Sequence, residues 1–353
     1  MWRAALLPMD LAALPYGLTA RAHRKLYEKG LLERRRLSCR VLSVGSVTVG
    51  GAGKTPAAAW VAAALHRRGY RVVIATRGYG RARREAVTVV SDGRTLRSDP
   101  PRAGDEALVL AAHAPGVPVL VGRDRGIVGL RAIAAFGAQV LVLDDGLQHH
   151  RLARDGELLV LDGALGLGNR RLLPRGPLRE PVGVASRAGA ICIVDGPLPE
   201  ADARLLDACA PGAPRFEARR RPAFLRPLAG GATVPPELLD GMEVGMLSAI
   251  ARPDGFRRTL EGLGARVVAE RRFRDHHRYR SRDLAGLRRQ TAIWVTTEKD
   301  AVKLLPSWTR GADLRVLGIE LAVEGAARLV DWLESRLVAG GGPDEGSSGR
   351  VRG

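Results

Sequence analysis

The fold is decided by the stretch Val41-Leu-Ser-Val-Gly-Ser-Val-Thr-Val-Gly-Gly-Ala-Gly-Lys-Thr-Pro56. A short apolar strand runs into a glycine-rich loop, which leads into a helix. This is the order of a P-loop, although the strict pattern has glycine where this chain has Thr48. Glycines let backbone N–H groups converge on phosphate oxygens, and the helix N-terminus adds a positive field. The predicted nucleotide-binding residues are Thr48, Val49, Gly50, Gly51, Ala52, Gly53, Lys54 and Thr55.

Two of these side chains have distinct tasks in a P-loop. Lys54 is expected to reach the β- and γ-phosphates of ATP, and the Thr55 hydroxyl to hold Mg²⁺. A second metal-binding group should end a neighbouring strand, and Leu141-Val-Leu-Asp144-Asp145-Gly146 fits, with three apolar residues before paired carboxylates. We therefore predict that Asp144 and Asp145 are Walker B acids.

Strands and helices alternate along most of the chain, which predicts an α/β fold of the P-loop NTPase type. The mostly parallel sheet is expected to be flanked by helices and followed by a second, smaller α/β domain. Around Arg215–Pro235 the pattern breaks into arginines, prolines and glycines, which indicates a linker. The predicted divisions are an N-terminal segment at 1–36, a P-loop domain at 37–222, a linker at 223–235, a C-terminal α/β domain at 236–339 and a disordered tail at 340–353.

Composition limits the class of protein. The chain has 353 residues, of which 46% are hydrophobic, so it can bury a core without covalent staples. Its 3 cysteines form no CxxC pair, which excludes a disulfide scaffold and a zinc ribbon and fits a reducing cytosol. The net charge of +19 predicts an anionic partner, either nucleic acid, anionic lipid or a phosphorylated substrate. Aromatic residues, at 4%, argue against single-strand binding by stacking.

The N-terminus combines an apolar run with a basic cluster. The run from Ala4 to Ala20 is interrupted by Pro8, Asp10 and Pro15, so it is a poor transmembrane candidate. Basic residues follow directly, which suits a segment lying on an anionic membrane surface. A docking helix with a solvated basic end explains the same pattern, and the residues alone leave the two interpretations open.

Three classes of P-loop protein compete. A partitioning ATPase carries a signature lysine before the double glycine, where this chain has Val49. A GTPase uses an NKxD motif, and Thr297-Glu-Lys-Asp300 has the wrong order. A small-molecule kinase needs a base, for which Asp105 is one candidate and a helix N-cap its structural alternative. The segment Phe273-Arg-Asp-His-His277 offers a His–Asp pair, against the alternative of a solvated loop.

The chain resembles the tetraacyldisaccharide 4′-kinases of lipid A biosynthesis, a family of P-loop kinases. The matching segments are Val44-Gly-Ser-Val-Thr-Val-Gly-Gly-Ala-Gly-Lys-Thr-Pro56, Arg77-Gly-Tyr-Gly80, Gly104-Asp-Glu-Ala107, Leu143-Asp-Asp-Gly-Leu-Gln-His149, Leu173-Pro-Arg-Gly-Pro-Leu-Arg-Glu-Pro181, Phe273-Arg-Asp-His-His277 and Thr297-Glu-Lys-Asp-Ala-Val-Lys303. They follow one another in order over most of the chain.

The resemblance implies transfer of the ATP γ-phosphate to the 4′-hydroxyl of a tetraacyl glucosamine disaccharide 1-phosphate, giving lipid IVA. It implies ATP and Mg²⁺ as cofactors and a peripheral, monotopic position at the cytoplasmic face of the bacterial inner membrane. The basic surface would then meet lipid head groups and the 1-phosphate of the substrate. Specific nucleic-acid binding and an obligate protein partner are not expected. A P-loop ATPase without a small-molecule acceptor and a basic nucleic-acid-binding protein remain the rival hypotheses.

The resemblance also implies roles for individual residues. Asp105 matches the catalytic aspartate of the family, paired with His276 or, failing that, with His277. Departures occur at Arg175 and Ser46, where small and asparagine side chains are usual. The remaining implied site residues are Glu180 as a further metal ligand, and Arg77, Gln148, His149, Arg179 and Lys299 in or near the site.

Overall fold

The computed structural model describes residues 22, 25–27, 29–82 and 85–338. Most of the predicted membrane-associating segment at 1–36 and all of the predicted tail at 340–353 lie outside these described residues. None of the helices in the described part of the chain has both the length and the apolar run that crossing a bilayer requires.

Strands and helices follow one another along the chain, with most parallel strands separated by a helix. The strands are β1 (Arg40–Gly45), β2 (Val72–Thr76), β3 (Thr88–Asp92), β4 (Pro118–Val121), β5 (Val140–Asp144), β6 (Gly156–Asp162), β7 (Ala190–Val194), β8 (Arg215–Pro227), β9 (Glu243–Ser248), β10 (Arg266–Arg272), β11 (Ile293–Thr297) and β12 (Asp313–Val323). The α-helices are α1 (Lys54–Arg67), α2 (Pro100–Ala103), α3 (Asp105–His113), α4 (Arg125–Phe136), α5 (Glu200–Cys209), α6 (Pro253–Gly262), α7 (Leu287–Gln290), α8 (Glu298–Ala301) and α9 (Ala326–Val338).

All of these strands belong to one 12-stranded sheet, in the order β10-β9-β11-β12-β8-β7-β6-β1-β5-β2-β4-β3. The pairs are parallel except for β8 with β12 and β3 with β4. The predicted mostly parallel α/β fold is therefore confirmed. The strand β1 lies between β5 and β6, so the loop that follows it opens at the carboxyl ends of the parallel strands. That edge is where open α/β sheets bind ligands.

The helix α1 packs on the sheet through an alanine-rich face that includes Ala57, Ala58 and Ala62, all of them buried. Alanine has the highest helix propensity, and its short side chain lets a helix approach a sheet closely. The strands beneath it are apolar on both faces, as expected for parallel strands covered by helices on both sides. This packing fixes the N-terminus of α1, and with it Lys54 and Thr55, at the end of β1.

The prediction that Arg215–Pro235 is a broken-up linker is wrong for its first part, because Arg215–Pro227 is the 13-residue strand β8. Its buried positions include Phe216, Ala218 and Leu225, whereas its arginines occupy the more exposed positions. A register shift against β12 leaves a bulge beside Pro222, which is where a strand tolerates proline. The sequence pattern does not predict this strand because of its arginines and Pro222, although the strand joins the two halves of the sheet. The division into two domains stays a prediction.

Two local sequence patterns predict structures that differ from the observed ones, and one helix is not predicted. The pattern near Ser281–Arg289 predicts a helix, whereas the structure has a 3₁₀ turn at Ser281–Leu284 followed by the short α7. The turn sequence Ser91-Asp92-Gly93 predicts a hairpin, of which the structure has one antiparallel bridge, between Ser91 and Leu96, while β3 pairs with β4 along its other edge. The helix α5 is not among the predicted elements, and Asp202 and Leu206 are the buried residues among its 10.

Candidate active site

The glycine-rich loop joins β1 to α1 and adopts a conformation that needs its glycines. Gly53 caps α1 at a φ of 82°, a left-handed conformation that side chains disfavour. A Cβ on Gly45 would lie 2.9 Å from the backbone nitrogen of Leu147, so glycine there lets β1 approach the segment after β5. The sequence thus brings the loop and the carboxylates at the end of β5 to the same place.

A second segment forms the other wall of the loop. Thr48 and Leu178 form an antiparallel bridge, and the backbone N–H of Val49 donates to the Pro177 carbonyl over 2.8 Å. The backbone N–H of Arg179 donates to the Val47 carbonyl, also over 2.8 Å. These bonds hold the Arg179 side chain beside the loop.

Asp144 ends β5 and is almost fully buried. The Thr76 hydroxyl donates to its Oδ2 over 2.9 Å, whereas its Oδ1 is buried with no hydrogen-bond partner among the described residues. Burial raises the pKa of Asp144 to about 7, and the negative charges of Glu106 and Asp145 add to that effect. A buried carboxylate with a raised pKa and an unused oxygen is suited to a cation that replaces the missing partner.

Asp145 is held between two cations. Its Oδ1 lies 3.4 Å from Lys54 Nζ, and its Oδ2 accepts from Arg179 Nη1 over 2.5 Å. Burial opposes ionisation, but the charges of Lys54 and then Arg179 outweigh it and hold the pKa of Asp145 below its usual value. Arg179 also donates to Gln148 Oε1, and Gln148 Nε2 donates to the Ser46 carbonyl, each over 3.3 Å. The lysine of the loop is thereby oriented by the acid that follows β5.

The donor set fits a magnesium ion of the P-loop kind. The described residues contain no group of three or more His, Cys, Asp or Glu side chains that could hold a metal ion by themselves. Magnesium at nucleotide sites takes one or two carboxylates and completes its shell with phosphate oxygens and water. The unpartnered Oδ1 of Asp144, together with Asp145 and the Thr55 hydroxyl at the start of α1, meets that requirement.

Glu180 lies in a different set of contacts from the one expected. It is buried, with its carboxylate 3.9 Å from His150 Nε2 and 4.0 Å from Arg187 Nη2. Arg187 also approaches Glu157, with 3.9 Å between the two charged groups. These contacts place Glu180 within a buried network of opposite charges beside the segment after β5.

The second constellation joins residues 171 positions apart. Asp105 is the first residue of α3, and its Oδ2 lies 3.0 Å from His276 Nδ1 and 3.8 Å from Lys303 Nζ. Its Oδ1 accepts from the backbone N–H of Glu106. Burial favours the neutral acid, but the His276 hydrogen bond and the nearby lysines outweigh it and lower the pKa of Asp105. The same hydrogen bond raises the pKa of His276.

Lys299 belongs to the same cluster. Its Nζ lies 3.3 Å from His276 Nε2 and 3.1 Å from Asp275 Oδ1. Burial opposes its charge, but Asp105, Glu106 and Asp275 outweigh burial and raise the pKa of Lys299. The lysines of Thr297-Glu-Lys-Asp-Ala-Val-Lys303 directly follow a strand, a pattern that fits a phosphate or nucleotide contact or an exposed helix start. In the structure Lys299 is the cation next to the aspartate–histidine pair.

The other predicted site residues are placed as follows. His277 bonds Asp283 through Nε2 at 3.0 Å and stacks on Phe273, so His276 is the histidine that meets Asp105. Burial, reinforced by the charge of Arg125, lowers the pKa of His149 to about 4. Arg77 is exposed directly after β2.

One site residue is not predicted from the sequence. Thr76 supports Asp144 and is the last residue of β2, immediately before the matched Arg77-Gly-Tyr-Gly80 segment. Lys303, which the sequence singles out with Lys299 because the chain has only 5 lysines, bridges Asp105 and the fully buried Asp300. The distance between Lys303 Nζ and Asp300 Oδ1 is 3.0 Å.

Comparison with known proteins gives a consistent result. A sequence profile of the family described as tetraacyldisaccharide-1-P 4′-kinase matches residues 2–338. The chain is 43% identical to the tetraacyldisaccharide 4′-kinase of Anaeromyxobacter sp. (strain Fw109-5), over 95% of this chain and 92% of that protein. It is 39% identical to the enzyme of the same name from Syntrophus aciditrophicus (strain SB), over 90% and 89% of the two chains.

A solved structure of similar fold carries ATP. It is the "apo" form of LpxK from Aquifex aeolicus in complex with ATP, at 30% identity and a TM-score of 0.77. The match covers 96% of this chain and all of that one, at 100%.

Proposed function

The chain belongs to the tetraacyldisaccharide 4′-kinase family, and from that premise we propose how its own residues carry out the reaction. It is an ATP-dependent kinase of lipid A biosynthesis that transfers the γ-phosphate of ATP to the 4′-hydroxyl of a tetraacyl glucosamine disaccharide 1-phosphate. The roles of individual residues and the metal are our proposals, supported by contacts of the described residues, and the membrane position is a proposal that rests on charge and exposure.

The triphosphate of ATP binds along the loop from Thr48 to Thr55. The N–H groups of the loop surround the phosphates, and Lys54 supplies a positive charge toward the β- and γ-phosphates. The ion pair of Lys54 with Asp145 supports this role, because it holds the ammonium group at the mouth of the loop. Asp145 in turn is fixed by Arg179.

Thr55, Asp144 and Asp145 are the residues that would hold Mg²⁺. When bound, the ion neutralises charge on the β- and γ-phosphate oxygens. The buried, unpartnered Oδ1 of Asp144 is the observation that supports this assignment.

Asp105 and His276 handle the acceptor alcohol. The Asp105 carboxylate accepts a hydrogen bond from the 4′-hydroxyl and takes its proton as the oxygen attacks the γ-phosphorus. A low pKa is compatible with this role, because phosphoryl transfer is loose and depends mostly on positioning and charge. His276 donates from Nδ1 to Asp105, which fixes the carboxylate, and Lys299 balances the charge. The single observation that carries this proposal is the 3.0 Å contact between Asp105 and His276.

We keep the division into a kinase domain at 37–222 and a smaller domain at 236–339 as a proposal, with the linker shortened to 228–235 because β8 continues to Pro227. The contact between Asp105 and His276 crosses that division, as does the 2.8 Å contact of His113 with Glu298. On this view the acceptor site is complete only when both parts are together, which disfavours transfer to water.

The test is steady-state kinetics of Asp105→Ala and His276→Ala with lipid acceptor. Loss of a proton-transfer group typically costs about 10²–10⁴-fold in rate, so we expect kcat to fall in that range while KM for ATP stays near the wild-type value. His66→Ala, at an exposed histidine of α1, is the control and keeps full activity. Near-normal kcat in both variants would overturn the roles given to the pair.

A further inference from the structure

Two arginines from the second half of the chain reach the glycine-rich loop. Arg220 lies on β8, and Arg252 directly precedes α6. Both donate to the same acceptor, Oδ2 of Asp162 at the end of β6, each over 3.0 Å. Asp162 is buried, with 4% of its surface exposed, so its position is fixed.

The two guanidinium groups are bonded differently. All three guanidinium nitrogens of Arg220 donate hydrogen bonds. Nε donates to Asp195 Oδ2 over 2.5 Å, Nη2 to Asp162, and Nη1 to the Gly51 carbonyl over 3.1 Å. Arg252 makes its hydrogen bond with Asp162 through Nη1. Its Nε and Nη2 lie 3.2 and 3.4 Å from the point that a Cβ on Gly51 would occupy. Arg220 thus connects β8 to the loop by hydrogen bonds, whereas the Nε and Nη2 donors of Arg252 lie above Gly51 of the loop.

The position of Arg252 has an electrostatic consequence. Arg220 pairs with both Asp162 and Asp195, whereas the carboxylate that pairs with Arg252 among the described residues is Asp162, which Arg252 shares with Arg220. Gly51 stands three residues before Lys54, within the part of the loop whose backbone surrounds phosphate oxygens. A planar guanidinium with unused donors at such a place is suited to a phosphate, which accepts two parallel hydrogen bonds.

We propose that Arg252 is a ligand of the ATP phosphates, oriented by Asp162 and contributed to the loop by the second half of the chain. This inference rests on the proposed binding of ATP at the loop. Asp162 fixes one edge of the guanidinium group, and the other edge donates to the phosphate chain. Arg252 and Lys54 then hold the triphosphate from two sides.

A purely structural salt bridge is the competing explanation, and a probe without adenine separates the two. Affinities for ATP and for inorganic tripolyphosphate are measured by competition against a fluorescent ATP analogue, with full-length protein. Arg252→Gln is expected to weaken both by the same factor, about tenfold or more, as loss of a charge-assisted hydrogen bond does. Arg252→Lys keeps the positive charge but cannot donate two parallel hydrogen bonds. Its affinities for both ligands are expected to lie between those of Arg252→Gln and wild type.

The matched control is Arg258→Gln, which removes one exposed arginine from the helix that Arg252 precedes and leaves both affinities at the wild-type level. The proposal is overturned if Arg252→Gln binds both ligands as wild type does, or if it loses affinity for ATP alone. If Arg252→Gln fails to fold, Arg252→Lys decides, and wild-type affinity for tripolyphosphate in that variant overturns the proposal. Failure of the wild-type protein to bind ATP overturns the nucleotide site itself, which is a distinct result.

Discussion

At the scale of single residues, burial and hydrogen bonding push the acids of the site in opposite directions. Asp144 is buried among other carboxylates, so its pKa rises to about 7. Asp105 is also buried, but a histidine and two lysines face it, so its pKa falls. One acid is thereby suited to a cation, and the other stays ionised to accept a proton from an alcohol. Environment, not residue type, assigns the two roles.

The raised pKa of Asp144 predicts a pH-dependent magnesium requirement. Protons compete with the metal ion below pH 7, so the Mg²⁺ concentration that gives half-maximal activity is expected to be higher at pH 6 than at pH 8. Thr76→Val removes the hydrogen bond that lowers this pKa, so that variant needs several-fold more Mg²⁺ at pH 7. Thr76→Ser keeps the hydroxyl and serves as the control. A magnesium requirement that is the same at both pH values contradicts the assignment.

The pair formed by Asp105 and His276 predicts how stability depends on pH. The lowered pKa of Asp105 contributes stability that is present above about pH 4 and is lost as the pH falls through the folded-state value. The raised pKa of His276 contributes stability that is present below about pH 6.5 and is lost as the pH rises through the folded-state value. His276→Gln should therefore cost most near pH 5, by about 1–2 kcal/mol, and least at alkaline pH.

Thermal unfolding of wild type and His276→Gln at pH 5 and pH 9 makes this measurement. The difference in Tm is expected to shrink at pH 9. His66→Gln, at an exposed histidine, controls for loss of a titratable ring. An equal difference at the two pH values would mean that the ion pair does not contribute as described.

At the scale of elements, β8 shows where sequence patterns fail. The strand pairs in parallel with β7 and antiparallel with β12, so it connects the two halves of the sheet. Because Leu225 on this strand is fully buried, Leu225→Ala is expected to lower the free energy of unfolding by about 2–5 kcal/mol. Arg221→Ala, on an exposed position of the same strand, should stay within about 0.5 kcal/mol of wild type. Urea denaturation of both variants makes the comparison.

A flexible linker would respond differently. If residues 223–227 carried no packed structure, Leu225→Ala and Arg221→Ala would give the same denaturation midpoint. Equal midpoints would therefore contradict the role of β8 as a core strand.

Local signals predicted the elements that determine the site, and long-range packing determined the rest. The strand, loop and helix around Lys54 could be predicted because glycine conformation and apolar runs act over a few residues. The strand β8 could not, because its arginines and Pro222 become compatible with a sheet only once β12 lies beside it. The same holds for Arg252, whose place over Gly51 depends on an aspartate 90 residues earlier in the chain.

At the scale of the whole molecule, the net charge of +19 suits a protein whose substrate is an anionic lipid. We propose that the protein acts as a peripheral enzyme on an anionic membrane surface, at the cytoplasmic face of the inner membrane. Near the N-terminus, Lys25 and Lys29 are exposed beside the exposed apolar side chains Leu31 and Leu32. Basic residues next to apolar ones suit an interface with anionic lipid.

Vesicle binding tests that proposal. Each basic residue near an anionic surface contributes about 1 kcal/mol, so the double substitution Lys25→Gln/Lys29→Gln should reduce binding to phosphatidylglycerol vesicles roughly tenfold or more at low salt. Arg258→Gln/Arg328→Gln removes the same charge from two exposed positions on α6 and α9 and is the control. Equal binding by the two double variants would show that total charge matters and that the N-terminal segment has no special role.

The most direct measurement of the central claim follows the γ-phosphate itself. Wild type and Lys54→Ala are incubated with γ-labelled ATP and the tetraacyl disaccharide 1-phosphate, and the products are separated by thin-layer chromatography. We expect wild type to place the label on the 4′ position of the lipid and Lys54→Ala to leave it on ATP. Label released only as inorganic phosphate, or lipid labelled equally fast by Lys54→Ala, would contradict the account.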